Sequence, residues 1–384
     1  MQFEFATATR IVLGPGAIAK AGPAVAAMGR KVLIVSGRSG RHTQVLSQIF
    51  RSLGLEYHLF RAEREPTVQM AREATSLARQ VGVEVVVGIG GGSAIDLAKV
   101  VSVMLTNPGD LMDYLEVVGR GRAIERPCVP WVAIPTTAGT GAEVTSNTVL
   151  AVPEHDRKVS IRSPLMLARL AIVDPELTCT MPPAVTAYTG LDALTQLIEA
   201  FVSTGANPIT DGFCREGMTR LARSIRVVYR SGEDLQARTD MAIASLLSGM
   251  ALSNAGLGLV HGLAGPLGGM IEAPHGAICG RLLPFVMQAN VEALVAAEPG
   301  SQALDRYHQV GQLLTGRPDA DVSDAIHWVL TLCHDLQIPG LSSWGLRQTH
   351  LDQVARLGLE SSSTKRNPVR LGLDQVMDLL EKAF

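Results

Sequence analysis

Aromatic residues are scarce, 4% of 384, and no basic block has aromatics interleaved with it, so the chain lacks the usual signature of a nucleic-acid surface. Neither sign of charge dominates. The net charge is −2 with both signs spread along the sequence, which also argues against an anionic membrane surface as partner. Cysteine is sparse too: Cys128, Cys179, Cys214, Cys279 and Cys333 are odd in number, scattered and without a CxxC pair. That pattern excludes a disulfide frame or a zinc cluster and reads as buried thiols in a reducing cytosol. No uninterrupted apolar run reaches the roughly 18 to 20 residues that span a bilayer. The opening MQFEFATATRIVLG has no charged segment followed by an apolar core, so no signal peptide is expected and the protein is placed in the cytoplasm.

What is present is a globular composition, 47% hydrophobic and 18% charged, in a chain too long for one small core. Two domains are expected. Residues 3–13 read as extended, and Gly14-Pro15-Gly16 turns the chain into a helix from about Ala17. The apolar runs 31–35 and 83–89 suit strands buried on both faces, with 55–60 a further strand. Between them lie a loop from Ser36 to Gly40, a helix through Leu46 and Phe50, and a helix over 67–81 with apolar positions at 70, 74, 77 and 81. This alternation predicts a parallel sheet wrapped by helices over residues 1–180. From about Pro182 the segments become rich in Ala, Leu and Met at helical spacing, which predicts a mostly helical domain over 181–384, closed by a helix from Gly372 to Phe384. The polar run 361–368 reads as a loop and receives no chemistry.

The strand ending at Ile89 runs into Gly90-Gly91-Gly92-Ser93, with a helix expected over 94–104. Glycines let the backbone approach a pyrophosphate, and free amides at a helix start favour its charge. Ser93 is expected to cap that helix, answered by Asp96 three positions later. A glycine turn with an ordinary cap is the bland alternative, and the GxGxxG fingerprint is absent. A second loop, 134–145, follows a strand over 130–134. It carries the hydroxyls of Thr136, Thr137 and Thr140 beside Gly139 and Gly141, which suits a polyhydroxylated or phosphorylated ligand. Asn147 and Lys158 follow, the lysine being suited either to a phosphate or ribose or to a solvated surface.

Two imidazoles, His261 and His275, lie fourteen positions apart in apolar, glycine-rich surroundings. Burying an imidazole there costs free energy unless its nitrogens find partners. Each alone reads as a core histidine bonded to a carbonyl. Upstream, 188–201 has apolar residues at Leu191, Leu194, Ile198 and Phe201, with Asp192, Gln196 and Glu199 on an adjacent helical face. A helix apolar on most sides is buried, so Asp192 needs a cation or donors. Asp192, His261 and His275 together make a three-ligand metal site with room for a substrate oxygen.

RIVLGPGAI, GGGSAIDLAK, IPTTAGTGAEVTS, GLDALTQLIEA and the VHG and PHG histidines, in that order, resemble the iron-containing alcohol dehydrogenase family, which shares its fold with glycerol dehydrogenase and dehydroquinate synthase. The resemblance implies an N-terminal Rossmann-like NAD(P)-binding α/β domain, an all-α C-terminal domain and a divalent metal, Fe2+ or Zn2+, with assembly as a homodimer or higher homo-oligomer. It implies reversible hydride transfer between a small alcohol or aldehyde and nicotinamide. By position, Asp192, His261 and His275 match family metal ligands, and Gly91, Gly92 and Ser93 the pyrophosphate loop. Asp96, Thr136, Thr137, Thr140, Asn147 and Lys158 fall among the expected cofactor contacts.

Three departures bear on the chemistry. Relatives that bind iron usually carry histidine four residues after the aspartate. Here Gln196 stands there, a weaker and harder ligand that can help hold the metal through its amide oxygen. Many relatives have a further histidine four after the first, where this chain has Gly265, so a proton relay through that residue is not expected. Where NAD-preferring relatives tend to carry an acid that holds the ribose, this chain has Gly37 and Arg38, with Arg41 beyond, so NADP is expected to be tolerated or preferred. Two rival readings stay open: a metal-independent enzyme like the maleylacetate reductases, and a nucleotide-binding protein with a degenerate metal site.

Overall fold

The computed structural model describes residues 2–63, 65–155 and 157–384, which divide into two compact units: Phe5–Thr180, and Met181–Phe384 with the first four residues. The first contains β1 (Ile11–Leu13), α1 (Ala21–Ala26), β2 (Lys31–Gly37), α2 (Thr43–Ser52), β3 (Glu56–Ala62), α3 (Val68–Gln80), β4 (Val85–Gly90) and α4 (Gly92–Met104). It continues with β5 (Trp131–Pro135), β6 (Asn147–Val152), β7 (Arg157–Arg162) and β8 (Leu170–Val173). Six strands form one parallel sheet in the order β1-β8-β5-β4-β2-β3, and β6 and β7 pair as an antiparallel hairpin.

The central strands are apolar at successive positions because both faces are covered. Val32, Ile34, Val85, Val87, Val132 and Ile134 point into a core shared with Val25 of α1 and Leu46 and Phe50 of α2. The neighbouring positions Leu33, Val86 and Ala133 are equally buried. From β2 the chain steps outward to β3, crosses back to β4, and goes on to β5 and β8. The winding therefore reverses between β2 and β4, and the carboxyl ends of strands at such a reversal are where ligands bind in this class of sheet. Gly90 closes β4 there with φ +155°, and a Cβ at that position would lie 3.0 Å from the amide nitrogen of Gly37.

Several details differ from the sequence reading. Of residues 3–13, only Ile11–Leu13 form a strand, paired with β8. β2 runs on through Ser36 and Gly37, which were expected in a loop. The buried face of α3 is Val68, Ala71, Ala74, Thr75 and Ala78, rotated from the 70/74/77/81 stripe, and its small residues let it lie close beside α4. α4 begins at Gly92, with Gly91 at its N-cap and no side-chain cap, so Ser93 sits inside the first turn and the expected Ser93–Asp96 capping box does not form. Asp96 instead accepts from the Val149 amide at 3.2 Å and lies 3.7 Å from Lys99 Nζ, tying α4 to β6.

The second unit is helical: α5 (Pro183–Val202), α6 (Pro208–Arg230), α7 (Leu235–Ala255), α8 (Leu259–Met270), α9 (His275–Ala297), α10 (Gln302–Thr315), α11 (Val322–Asp335), α12 (Leu351–Glu360) and α13 (Leu373–Ala383). α5 is buried without interruption from Gly190 to Val202, packed by α6, α7 and α9. Its polar residues Asp192, Thr195, Gln196 and Glu199 are therefore inside the unit and must be satisfied there. α9 has the length and hydropathy of a membrane-crossing helix. Its buried residues are covered by α5, α8, α11 and α13, and Arg281 and Glu292 interrupt it. An α/β unit with a parallel sheet followed by an all-α unit is the architecture the sequence predicts.

Candidate metal centre and nucleotide loops

Three helices of the second unit bring the expected metal residues together. Asp192 lies on α5, His261 in the first turn of α8, and His275 opens α9. The glycine after each histidine permits the approach. A Cβ at Gly276 would overlap the Tyr188 carbonyl of α5, and one at Gly262 would overlap the Thr364 hydroxyl. Asp192 Oδ1 lies 3.4 Å from His261 Nε2 and 3.8 Å from His275 Nε2. Cys279, one turn along α9 from His275, places Sγ 3.6 Å from His275 Nε2 and 3.9 Å from His261 Nε2. One donor atom from each of the four residues lies within 4.8 Å of every other.

Burial opposes charge on Asp192, but the close imidazoles of His261 and His275, together with the Gln196 amide, hold its carboxyl below the ordinary range. Burial would likewise lower His261, yet Cys279, Glu199 and Asp192 outweigh it and hold this imidazole well above its usual value. His275 is raised chiefly by the neighbouring Cys279. Acidic groups thus favour positive charge on both rings, and a dication can take the place of those protons. The fit is tested by one atom: Asp192 Oδ1 is buried and has no hydrogen-bond partner, a costly arrangement that a cation removes. Glu199 Oε2 takes the Nδ1–H of His261 at 2.6 Å, which leaves Nε2 free to face an ion. The His275 side chain is 42% exposed, so one side of the cluster stays reachable, as a catalytic centre requires.

Gln196 lies beside Asp192, with its amide held within the unit. Its Oε1 accepts from Ser248 Oγ at 2.7 Å, and its side chain also hydrogen-bonds Asp192. The oxygen is engaged by α7, and the amide acts on the carboxylate instead. At Gly265 a Cβ would meet nothing within 4 Å.

In the first unit, most of the expected cofactor residues gather at the carboxyl edge of the sheet: Gly37 ending β2 and Arg38 after it, Gly91, Gly92 and Ser93 after β4, Thr136, Thr137 and Thr140 after β5. The two loops touch, since a Cβ at Gly91 would lie 3.3 Å from Thr137 Cγ2 and one at Gly92 would lie 2.9 Å from Thr140 Cγ2. The start of α4 carries no side-chain cap and points its amides at this edge, which suits an anion. Arg38 is exposed and lines a cavity of about 920 Å³ with Arg61, Glu63, Gln69 and Glu73. Three other expected contacts have partners within the unit. Asp96 is engaged by β6 as described above, Asn147 offers its carbonyl to Lys99, and Lys158 pairs with Glu65 at 2.6 Å.

The iron-containing alcohol dehydrogenase model matches residues 8–175, and the C-terminal model of the same family matches residues 186–384. The chain belongs to the iron-containing alcohol dehydrogenase family. It is 41% identical over 281 residues to long-chain-alcohol dehydrogenase 1 of Geobacillus thermodenitrificans, covering 72% of this chain and 70% of that protein. A solved 1,3-propanediol oxidoreductase superposes with TM-score 0.93 at 32% identity over the whole of both chains. A sulfoacetaldehyde reductase from Bifidobacterium kashiwanohense, solved in complex with NAD+, superposes with TM-score 0.88 at 26% identity, over 100% of this chain and 99% of that one. As a member of the family, the protein is an NAD-linked alcohol dehydrogenase that uses iron or another divalent metal.

Three residues that matter in this family member escaped the sequence reading. Cys279 was grouped with inert thiols, although its spacing of four from His275 on a helix was a usable signal. Lys99 is wholly buried and bonds Ala142 O, Thr145 Oγ1 and Asn147 O, fixing the threonine loop from behind. Asn367, in the segment given no chemistry, accepts the Leu259 amide at 3.1 Å and so anchors the start of α8, two residues before His261. Only long-range contact reveals the last two.

Proposed function

We propose that Asp192, His261 and His275 hold a single divalent ion in the helical domain, residues 181–384, and that Gly91, Gly92, Ser93, Thr136, Thr137 and Thr140 hold the dinucleotide in the α/β domain, residues 1–180. The observation that carries the metal assignment is the orphaned Asp192 Oδ1 facing two ring nitrogens in a buried cluster. A divalent ion supplies Lewis acidity toward an alcohol or carbonyl oxygen, and NAD supplies the hydride acceptor.

The chain's own residues do the rest. Glu199 fixes the tautomer and tilt of His261, and its other oxygen takes the Val260 amide at 2.6 Å, so the carboxylate that orients the ring is itself held by the start of α8. Gln196, braced by Ser248, orients Asp192. Gly265 offers no proton relay, so the alcohol proton leaves through water or the cofactor ribose. Arg38 stands free at the end of β2 to meet a 2′-phosphate, and use of NADP as well as NAD belongs to this reading. The substrate is a small alcohol or its aldehyde. Assembly as a homodimer or higher homo-oligomer rests on the family resemblance, and the five free thiols fit residence in the cytoplasm.

The test is oxidation of a panel of short alcohols, diols and hydroxy acids with NAD and with NADP, before and after exhaustive chelation. Turnover that disappears with the metal and returns on adding Fe2+ or Zn2+ supports the assignment. Turnover that survives chelation selects the metal-independent reading instead.

A further inference from the structure

We propose that Cys279 is a fourth ligand, so that the ion is held by a carboxylate, two imidazoles and a thiolate; this rests on the reading that Asp192, His261 and His275 bind a metal. His275 and Cys279 are four apart on α9 and point to the same side of it, a spacing that suits a chelating pair. The thiol is wholly buried, and its Sγ lies close to both imidazoles, at 3.6 and 3.9 Å from their Nε2 atoms. Ligand bonds of about 2.0 to 2.3 Å in a tetrahedral shell set donor–donor distances of roughly 3.3 to 3.6 Å. The shortest separations here, 3.4 Å and 3.6 Å, already approach those values, so small side-chain movements bring the four donors onto one ion, with a fifth position left for a substrate oxygen on the exposed His275 side. Asp192 Oδ1, 3% exposed as a residue and without a hydrogen-bond partner, is aimed into the same space. The amide oxygen that competes most directly for the fourth position, that of Gln196, is bound to Ser248.

A thiolate changes what the centre prefers. Sulfur is a softer donor than nitrogen or oxygen, so the set favours Zn2+ and Co2+ over Fe2+ more than an oxygen and nitrogen set would. The added negative charge also moderates the Lewis acidity of the ion. Cys279 thus sets metal identity in this chain.

The test uses full-length apo-protein loaded with Co2+ without oxygen. The wild type is expected to show thiolate-to-cobalt charge-transfer absorption in the near ultraviolet, and Cys279→Ser to lose it while keeping the visible bands of bound Co2+. In competition, Cys279→Ser is expected to shift the Zn2+ over Fe2+ preference toward iron by roughly tenfold or more. X-ray absorption on the unsubstituted zinc protein needs no variant, and is expected to place one sulfur at about 2.3 Å from the metal. Bound cobalt without a charge-transfer band, a band unchanged in Cys279→Ser, or a zinc shell without sulfur overturns the fourth ligand and leaves the three-residue reading standing. A protein that takes up no Co2+ or Zn2+ overturns both.

Discussion

Glu199 Oε2 lies 2.6 Å from Nδ1 of His261, with both side chains almost wholly enclosed between α5 and α8. A carboxylate so placed turns Nε2 of the ring toward Asp192 and raises the basicity of that nitrogen. Glu199→Gln keeps the shape and removes the charge. It is expected to weaken metal affinity by roughly 10- to 100-fold and to leave dinucleotide affinity unchanged, as read by indicator competition and by cofactor fluorescence.

Arg38 is expected to act on cofactor choice alone. A charged hydrogen bond contributes about 1.5 to 3 kcal/mol, so Arg38→Ala should lower kcat/KM with NADP by roughly 10- to 100-fold while NAD kinetics stay within about twofold. Steady-state kinetics with both cofactors decide. A wild type at least about 100-fold poorer with NADP, equivalent to at least about 2.7 kcal/mol, contradicts the assigned role.

Glu143, in the threonine loop, is pushed by burial from 4.5 up to about 7, against its backbone hydrogen bond and the attraction of Lys99. The folded state therefore favours the protonated acid. Its contribution to stability is fully present below pH 4.5, declines from there, and is lost as pH rises through about 7. Glu143→Gln removes the titration. Relative to wild type, the variant is expected to gain on the order of 2 to 3 kcal/mol on going from pH 5 to pH 8, read from urea midpoints at the two values.

Gly212 sits exposed within α6, and a Cβ there meets nothing within 4 Å. Gly212→Ala is expected to stabilise the protein by roughly 0.5 to 1 kcal/mol through helix propensity and reduced freedom of the unfolded chain, without altering kcat. Urea unfolding followed by circular dichroism checks it.

The sheet was legible because its strands are apolar at successive positions, as from Val32 to Val35 and from Val85 to Val87, a pattern that burial on both faces imposes. The convergence of Asp192, His261 and His275 was legible because an aspartate inside an apolar helix and histidines among glycines each need a polar partner. The start of α4 was misplaced by two residues, since Gly91 replaces a side-chain cap and leaves Ser93 looking like one. Gln196 was read from its position in the motif, but Ser248, 52 residues away, decides where its oxygen points. The β6–β7 hairpin was not foreseen, because its alternating residues are flanked by turns that give no hairpin signal of their own.

Metal content of purified wild type and Asp192→Asn, measured beside dinucleotide affinity, tests the central assignment most directly. The wild type is expected to carry about one divalent ion per chain. Asp192→Asn is expected to carry almost none, to bind the dinucleotide as before, and to have no measurable alcohol oxidation. A variant that keeps both its ion and its turnover contradicts the assignment.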